Sequence, residues 1–276
     1  MSKIKKILIK TKRQVFSEII GNNPSIFQGE GLEFVELREY QYGDDVKKID
    51  WYVSAKMQKP YVKIYREERE LNIVIVSLLS GSVNFGSKKL KIDTIAETAA
   101  ILAFSAIKNG DLFSSLIFTD SLKDFIKPTK QYFAVRRALE RILSFNPLGQ
   151  KIDSKNLVNY LFERIRRRSI IFLIGDFLDP IDLKLISRKH EIIALIVRDK
   201  LEEEPPDLGF ISLIDPVKLI QGNTDLNSKT SKSVKKEIYR NDHALYSHFR
   251  KNRIRFTKIY THEEPFVKLS KLFIGK

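Results

Sequence analysis

Two serine hydroxyls and one carboxylate follow apolar segments in a pattern that could bring oxygen ligands together. Ser80 and Ser82 come after the apolar run Leu71–Leu78, and Asp176 comes after a second run, Ile170–Ile174. If both runs are strands of an open parallel sheet, their carboxyl ends lie at the same edge, where such sheets bind ligands. Hydroxyl and carboxylate oxygens suit a hard cation such as Mg²⁺.

The same three side chains also have a purely structural interpretation. Ser80 and Ser82 are good capping residues for the turn or helix that follows them, and Asp176 could cap a helix over Pro180–Arg188. Spacing alone favours capping over a ligand site.

The chain from Leu71 onward alternates between strand-like and helix-like segments. Apolar residues at helical spacing predict a helix over Ile92–Lys108, which Asn109-Gly110-Asp111 ends. Further strands are predicted at Leu112–Phe118, Glu191–Val197, Phe210–Ile214, Val217–Ile220 and Ile254–Ile259. Further helices are predicted at Tyr132–Ser144, Asn156–Arg167, Ile181–Arg188, Ser233–Lys251 and Glu264–Leu272, with a flexible link at Asn223–Lys232. This alternation predicts an α/β fold with a doubly wound, mostly parallel sheet.

Residues 22–70 differ from the rest of the chain. They are rich in glycine, acidic and aromatic residues, which predicts a small β/loop module with a strand inside Lys56–Glu70. Arg38 lies among several carboxylates, and a guanidinium can hold two of them and so fix a loop-rich fold. A structural role is the favoured interpretation for Arg38 and Trp51, and a partner-docking surface is the alternative.

The formal charge of +15, from 49 basic and 34 acidic residues, is unevenly distributed. Residues 1–13 carry six basic residues and no acid, and residues 229–276 carry thirteen basic residues and four acids, so the segment between them is neutral. A neutral body argues against a basic nucleic-acid-binding core. Basic and aromatic residues are interleaved over Phe249–Tyr260, which keeps nucleic acid or an anionic surface as an alternative ligand.

The first residues have some features of a signal peptide but not its apolar core or cleavage site, so we do not expect export. Ile4, Ile7 and Leu8 could form the apolar face of a short basic helix that contacts anionic lipid. The favoured interpretation is a frayed, solvated terminus. We therefore expect a cytoplasmic protein, with peripheral contact at the inner membrane face as the alternative.

Candidate catalytic groups are few. The chain has no cysteine, which excludes thiolate metal sites and cysteine nucleophiles. His243 and His248 are five residues apart and do not share a helical face as metal ligands would. We expect no enzymatic activity and no cofactor. A metal-dependent hydrolase remains an alternative, with Asp44, Asp45, Asp50 and Asp176 as its carboxylates.

A set of short motifs extends from Gly29 to about Gln221. They are Gly29-Glu30-Gly31-Leu32-Glu33-Phe34, Leu37-Arg38-Glu39-Tyr40, Gly43-Asp44-Asp45, Ile49-Asp50-Trp51, Tyr61-Val62-Lys63, Asp176-Phe177-Leu178-Asp179, Val197-Arg198-Asp199 and Glu204-Pro205-Pro206-Asp207-Leu208-Gly209. Together they resemble the signature of the domain-of-unknown-function 58 family. The resemblance implies a von Willebrand factor A-like fold and work with a MoxR-type AAA+ ATPase in the maturation or remodelling of other proteins. It implies no established reaction.

The resemblance also implies a metal-ion-dependent adhesion site, whose rim here would be Ser80, Ser82, Thr129 and Asp176. The stretch Leu78-Leu79-Ser80-Gly81-Ser82 lies where such domains have Asp-x-Ser-x-Ser, so Leu78 replaces the first carboxylate. A divalent cation needs negative charge close by, and one carboxylate is lost. We therefore predict a degenerate site with weak or absent Mg²⁺ binding, in which Ser80, Ser82 and Asp176 would be the ligands.

These observations predict a non-enzymatic protein–protein interaction module that works with a MoxR-type AAA+ ATPase. The predicted organisation has four parts. Residues 1–21 form a basic segment, residues 22–70 the acidic-aromatic module, residues 71–228 the α/β domain, and residues 229–276 a basic helix–strand–helix extension that packs on the sheet.

Overall fold

The computed structural model describes residues 3–17, 33–66 and 70–274 of the chain. These residues fall into two units, one made of residues 27–71 and the other of residues 1–26 together with 72–276. The smaller unit is therefore inserted into the sequence of the larger one.

Helices and strands alternate along most of the described chain. The helices are α1 (Lys3–Ser17), α2 (Trp51–Met57), α3 (Lys91–Lys108), α4 (Tyr132–Ser144), α5 (Ser154–Arg164), α6 (Lys184–Ser187), α7 (Lys200–Glu203), α8 (Ser228–Lys251) and α9 (Pro265–Ile274). The strands are β1 (Glu33–Glu39), β2 (Tyr61–Arg66), β3 (Asn72–Leu78), β4 (Leu112–Phe118), β5 (Leu122–Thr129), β6 (Ile170–Gly175), β7 (Glu191–Arg198), β8 (Gly209–Ile214), β9 (Gln221–Leu226) and β10 (Arg255–Tyr260).

The larger unit is built on a six-stranded sheet with the order β10-β7-β6-β3-β4-β5. All neighbouring strands in it are parallel except β5, which is antiparallel to β4. This confirms a mixed α/β fold with a mostly parallel central sheet. From the central strand β3 the chain moves first to β4 on one side and later to β6 on the other. The loops after β3 and β6 therefore lie at the switch point, where open sheets form their binding crevice.

Side chains of β3 alternate between two apolar layers. Val74, Val76 and Leu78 belong to a buried cluster that includes residues of α5, α6 and α8. Ile75 points the other way and packs with residues of α3 and α4. Because both faces of the sheet are covered by helices, its inner parallel strands are largely apolar, as the sequence indicated, whereas the edge strand β10 carries Arg255, Thr257 and Lys258.

The N-terminal helix α1 packs on α3, and the prediction of a frayed terminus is wrong. Val15 and Thr11 of α1 are buried. The Nζ atom of Lys3 lies 2.5 Å from the carboxylate of Asp93, and that of Lys10 lies 2.6 Å from the carboxylate of Glu97. Both acids are buried residues of α3, so the basic terminus neutralises charge in the body of the protein.

Strands β8 and β9 form a separate antiparallel hairpin, which corrects two sequence predictions. Val217–Ile220, predicted as a strand, lies between β8 and β9 in the hairpin turn. Asn223–Lys232, predicted as a flexible link, forms most of β9 and the start of α8. Much of the hairpin is exposed, so its strands lack the alternation that a half-buried strand shows.

Two further elements were not expected from the sequence. The edge strand β5 contains Lys123, Asp124, Lys127 and Pro128, and such polar composition with a proline is typical of an edge. Helix α2 lies inside the predicted β/loop module and begins at the cap residue Asp50. In the part of the chain that the structure describes, we find no helix long and apolar enough to cross a bilayer.

Candidate functional site

The side chains of Ser80, Ser82 and Asp176 meet at the carboxyl ends of β3 and β6. The Oγ atom of Ser82 donates to Oδ2 of Asp176 at 2.5 Å, and the Oγ atoms of Ser80 and Ser82 are 2.7 Å apart. We call these three residues the rim. Because strand pairing aligns Ser77 with Ile174, the loops that follow the two strands emerge side by side.

The capping interpretation of these residues is wrong. Ser80 precedes a short 3-10 turn, Gly81–Asn84, but its side chain makes no capping bond there. Asp176 accepts its hydrogen bonds from Ser82 and Lys91 and caps no helix, since α6 begins only at Lys184.

Thr129 does not belong to the rim. It ends β5, and because β5 is antiparallel to β4, Thr129 pairs with Phe113 near the start of β4. The rim lies at the other end of the parallel strands, where β4 finishes at Phe118 beside Leu78. The prediction did not include an antiparallel strand at this position. Thr119, directly after β4, is the buried hydroxyl residue at the rim's end of that strand.

Leu78, the position at which an adhesion site would have its first carboxylate, is part of the apolar core. Its side chain is buried in the cluster beneath α5, α6 and α8. A carboxylate at this position would be surrounded by aliphatic groups, which cannot compensate the loss of its hydration.

A buried lysine joins the rim. Lys91, the first residue of α3, has a fully buried side chain. Its Nζ atom lies 3.0 Å from Oδ2 of Asp176 and 2.6 Å from Oε1 of Glu202 in α7. The site therefore contains two carboxylates, with the Lys91 ammonium between them.

The pKa values of the two carboxyl groups move in opposite directions. Burial raises the pKa of Asp176, but the Lys91 charge and the Ser82 hydrogen bond outweigh it, so the pKa ends below its ordinary value. Burial also raises the pKa of Glu202, and there it prevails over Lys91, with the Asp176 charge adding to the rise. Asp176 is thus the more firmly ionised partner of Lys91.

Phe177 holds an unusual backbone conformation directly beside Asp176. Its φ is +50°, in the left-handed region that side chains other than glycine rarely adopt. Its ring is buried and meets Phe249 of α8 edge-on, with the centroids 5.9 Å apart. Packing of the aromatic ring therefore holds a strained residue next to the rim, as is common at functional sites.

Asp199 fixes the loop that leads to Lys91. This buried carboxylate follows β7 and accepts hydrogen bonds from the backbone N–H and the hydroxyl of Ser87, both at 2.9 Å. It also accepts from Thr261 and caps α7 through Leu201 N–H. Burial raises the pKa of Asp199, but these hydrogen bonds lower it by more than burial raises it, so the pKa is below its ordinary value.

A second polar cluster continues along the same edge of the sheet toward β10. Asp242 of α8 accepts from Arg198 at 3.1 Å and from Lys258 at 2.6 Å. Lys258 also lies 2.6 Å from Glu203, which accepts a hydrogen bond from Tyr260 at 2.8 Å. Burial lowers the pKa of Lys258, but the two carboxylates raise it more, and burial together with Glu203 raises the pKa of Tyr260 to about 12.

Some of the basic and aromatic residues near the C-terminal end are engaged within the fold. Phe249 is fully buried, and the ring of Phe256 stacks on Tyr246 with the centroids 4.8 Å apart. Arg255 pairs with Glu191, and Lys258 pairs as described above. The buried ring of Phe249 cannot stack on a nucleic-acid base, whereas Arg250, Lys251 and Arg253 are exposed.

In the small unit, Arg38 organises a tight turn through one carboxylate, Asp44, where the sequence suggested two. One guanidinium nitrogen of Arg38 lies 2.8 and 2.9 Å from the two carboxylate oxygens of Asp44. Asp44 also accepts from Gln41 N–H, which closes a turn in which Gly43 has a φ of +104°. A side chain at this φ would be strained, which explains the glycine.

The other motif residues of this unit have structural partners as well. Asp50 caps α2 through the N–H groups of Tyr52 and Val53 and lies 2.9 Å from Lys63. Asp45 caps a 3-10 turn, Glu39 pairs with Lys59, and Tyr40 N–H donates to Pro60. Trp51 is the exception, because it is two-thirds exposed at the start of α2 and does not fill the core position that its predicted structural role requires. Glu33 begins β1, and Gly31 lies outside the described residues.

The hairpin β8–β9 is anchored beside the rim. The carbonyl oxygen of Pro216 in its turn accepts a hydrogen bond from Gly149 N–H at 2.9 Å, and the adjacent Gln150 accepts from Gly81 N–H at 2.9 Å. Exposed apolar side chains extend from this turn along the hairpin, and they are Phe210, Leu213, Ile214, Leu219 and Ile220.

Sequence reasoning missed Lys91, Glu202 and Arg198. A signal for Lys91 was present, because Lys91, Ile95, Thr98 and Leu102 follow helical spacing and all four are fully buried. A lysine on the apolar stripe of a helix needs a buried partner. The identity of that partner depended on α7, which was not predicted.

Comparisons with known proteins identify relatives but no activity. The model of the family described as "Protein of unknown function DUF58" matches residues 36–244. An uncharacterized protein of Mycobacterium tuberculosis (strain H37Rv) is 29% identical over 214 residues, which cover 75% of this chain and 68% of that protein. An uncharacterized protein of Mycobacterium bovis gives the same values.

Solved structures give distant matches. The chain is similar to the conserved hypothetical protein BatB from Bacteroides thetaiotaomicron, with a TM-score of 0.47 and 11% identity over 74% of this chain and 98% of that one. An aerotolerance-related membrane protein from Bacteroides fragilis has a TM-score of 0.47 and 13% identity over 74% and 97%. The family model spans well over half of the sequence, and on that basis the chain belongs to the DUF58 family.

Proposed function

We propose that this protein is a non-enzymatic interaction module, and that the rim and the hairpin β8–β9 form its binding face. The observation that carries the proposal is the continuity of the two features. The hairpin turn is bonded to the loop beside the rim, and apolar side chains run outward from it. A partner seated on the hairpin would therefore also cover the rim.

The exposed side chains of the hairpin favour a protein as the occupant. Phe210 is 76% exposed, Ile214 64% and Ile220 63%. Several large exposed apolar side chains on one element are typical of a surface that a protein partner covers. An isolated two-stranded hairpin also gains little stability by itself, so a partner that covers it would stabilise it.

The polar groups of the rim support binding rather than catalysis. Asp176 is held between Ser82 and Lys91, and Asp199 is saturated by donors from Ser87, Leu201 and Thr261. A general base needs an accessible atom within reach of the substrate proton. Asp44 and Asp50 are likewise committed to Arg38 and Lys63.

As the partner we propose a MoxR-type AAA+ ATPase. The proposal rests on the resemblance of the sequence motifs, and it includes a von Willebrand factor A-like arrangement with a degenerate adhesion site. A parallel sheet whose rim lies after its central strands supports that arrangement. Client maturation or remodelling by the pair follows from the same resemblance.

The test measures binding of the purified chain to the MoxR-type ATPase of the same genome by calorimetry at low salt. We expect saturable binding by the native chain. The double variant Phe210→Ser/Ile214→Ser should weaken it at least tenfold, because exposed apolar anchors at the centre of an interface carry much of its affinity. Both side chains are exposed, so the fold should be unaffected.

Phe133→Ser is the matched control, since Phe133 is 60% exposed on α4 and lies outside the proposed face. It should bind as the native chain does. The proposal is wrong in its partner if the native chain does not bind the ATPase, and wrong in its face if the hairpin variant binds with native affinity.

A further inference from the structure

The Lys91 ammonium is isolated from solvent by the fold. Its side chain is fully buried, and the groups that receive its two hydrogen bonds are the carboxylates of Asp176 and Glu202. Burial of an ammonium is costly unless opposite charges surround it. Lys91 also begins α3, where the positive end of the helix disfavours a cation. Two carboxylates are needed to offset both effects.

A cation already stands between the two carboxylates of this cluster. The Lys91 ammonium contacts both Asp176 and Glu202. The Arg198 charge acts on both carboxyl groups from farther away, since Arg198 is itself bonded to Asp242. Divalent cations bind where ligands leave an excess of negative charge, and Lys91 reduces that excess between Asp176 and Glu202.

One oxygen of each carboxylate is already occupied on the side where the two face each other through Lys91. Oδ2 of Asp176 accepts from both Ser82 and Lys91, and Oε1 of Glu202 accepts from Lys91, whereas Oε2 of Glu202 is buried without a hydrogen bond. Magnesium requires oxygen ligands at about 2.0–2.1 Å in octahedral geometry. An ion at that distance from Oδ2 of Asp176 would compete with the ammonium for the same oxygen. The residues present therefore do not fit the metal of an adhesion site.

We propose that the Lys91 ammonium is the permanent cation of this site, in place of a divalent ion between Asp176 and Glu202. A covalently attached cation cannot dissociate or be chelated. The rim thus keeps its shape at any concentration of Mg²⁺. This inference goes beyond the proposed function, because it concerns what holds the rim whether or not a partner docks there.

The experiment titrates Mn²⁺ into the native chain and into Lys91→Met, and follows binding by electron paramagnetic resonance. The native chain should show no saturable site below about 1 mM, the weak end of the affinities of protein Ca²⁺ sites. Lys91→Met leaves Asp176 and Glu202 without their shared ammonium. This variant should therefore gain one Mn²⁺ site, whose dissociation constant lies at least tenfold below the limit set for the native chain. Adding Asp176→Asn to this variant should remove the site. Lys89→Met is the control, because Lys89 pairs with Glu97 instead of the rim.

Two results would overturn the proposal. One is a saturable Mn²⁺ site in the native chain that Asp176→Asn abolishes. The other is a folded Lys91→Met protein that gains no site. If Lys91→Met does not fold, the native chain is tested by NMR of its lysine Nζ–H groups, with the Lys91 signal assigned from Lys91→Arg. A solvent-protected signal that 10 mM Mg²⁺ leaves unchanged supports a permanent cation, and a signal that Mg²⁺ shifts or removes excludes it.

Discussion

The carbonyl oxygen of Pro216 occupies the space into which a Cβ atom on Gly81 would project. Gly81 lies between the two serines of the rim, and Pro216 lies in the turn of the hairpin β8–β9. The contact is between backbone atoms on both sides, so neither partner can move aside by changing a rotamer. The hairpin can approach the rim this closely because position 81 has no side chain.

Gly81→Ala should therefore separate the hairpin from the rim. The added methyl group overlaps the Pro216 backbone, and we expect a loss of about 1–3 kcal/mol in the free energy of unfolding, as for other overpacked sites. Urea denaturation measures the loss, and binding to the ATPase measures the effect on the proposed face. Gly222→Ala is the control, because nothing lies within 4 Å of the Cβ atom it would add. Equal free energies of unfolding for Gly81→Ala and Gly222→Ala would contradict the close contact between Gly81 and Pro216.

Asp176→Asn should destabilise the protein more than a surface substitution can. It removes the carboxylate that holds Lys91 and leaves the buried ammonium with Glu202 alone. Removing one partner of a buried ion pair lowers the free energy of unfolding by about 3–5 kcal/mol. We expect a loss near the lower value, because the asparagine side-chain oxygen can still accept a hydrogen bond from Lys91. Asp179→Asn, at an exposed position three residues later, should change the unfolding free energy little. A native-like melting temperature for Asp176→Asn would exclude this role.

Lys10→Met should weaken the attachment of α1. Lys10 lies 2.6 Å from Glu97 of α3 and 2.6 Å from Glu264, just before α9. Because its side chain is 41% exposed, solvent screens these pairs, and we expect a loss of about 1 kcal/mol. Lys6→Met, an exposed lysine of the same helix, is the comparison. Hydrogen exchange should become faster in α1 only in the Lys10 variant, and similar exchange in both variants would argue against the attachment.

Stability should fall in acid partly through Glu97. Burial raises the pKa of Glu97, but hydrogen bonds from Lys10 and Lys89 lower it more, so the folded pKa is below the ordinary 4.5. A lowered pKa contributes stability above pH 4.5 that is lost as the pH falls through the folded value. Glu97→Gln should therefore reduce the pH dependence of the unfolding free energy between about pH 5 and pH 3. If the unfolding free energy of the native protein and of Glu97→Gln falls with pH in parallel, Glu97 does not contribute to the loss of stability in acid.

Single-stranded oligonucleotides should not bind appreciably through the C-terminal segment. Phe249 is buried and Phe256 stacks inside the fold, while Arg255 and Lys258 are paired with acids. Fluorescence anisotropy at 20 mM salt is a stringent measurement, because phosphate contacts are strongest at low ionic strength. Salt-dependent binding that Lys251→Ala/Arg253→Ala removes would restore the nucleic-acid alternative.

Local patterning was sufficient for most of the larger unit. Leu112–Phe118 and Tyr132–Ser144 were predicted with the bounds they have in the structure, because each has a clear apolar period and clear ends. The hairpin β8–β9 was only half predicted. Its second strand, Gln-Gly-Asn-Thr-Asp-Leu, is polar and buries little, so the sequence carries no periodic signal there.

The site was harder to predict than the elements that hold it. The strand ends placed Ser80, Ser82 and Asp176 together, since parallel strands finish at one edge. Thr129 was misplaced because an antiparallel strand reverses which edge its last residue occupies. The pairing of Lys91 with Glu202 joins residues 111 positions apart, and nothing in the local sequence of either one indicates the other.

Helix α1 has a consequence for the order of folding during synthesis. Lys10 is synthesised long before Glu264, one of its partners, which follows the last strand of the sheet. That strand, β10, pairs with β7. The cations that neutralise Asp93 and Glu97, by contrast, are Lys3, Lys10 and Lys89, which all precede these acids in the sequence. Helix α1 can therefore dock on α3 while the rest of the larger unit is still being made, and the Lys10–Glu264 pair closes later, after β10.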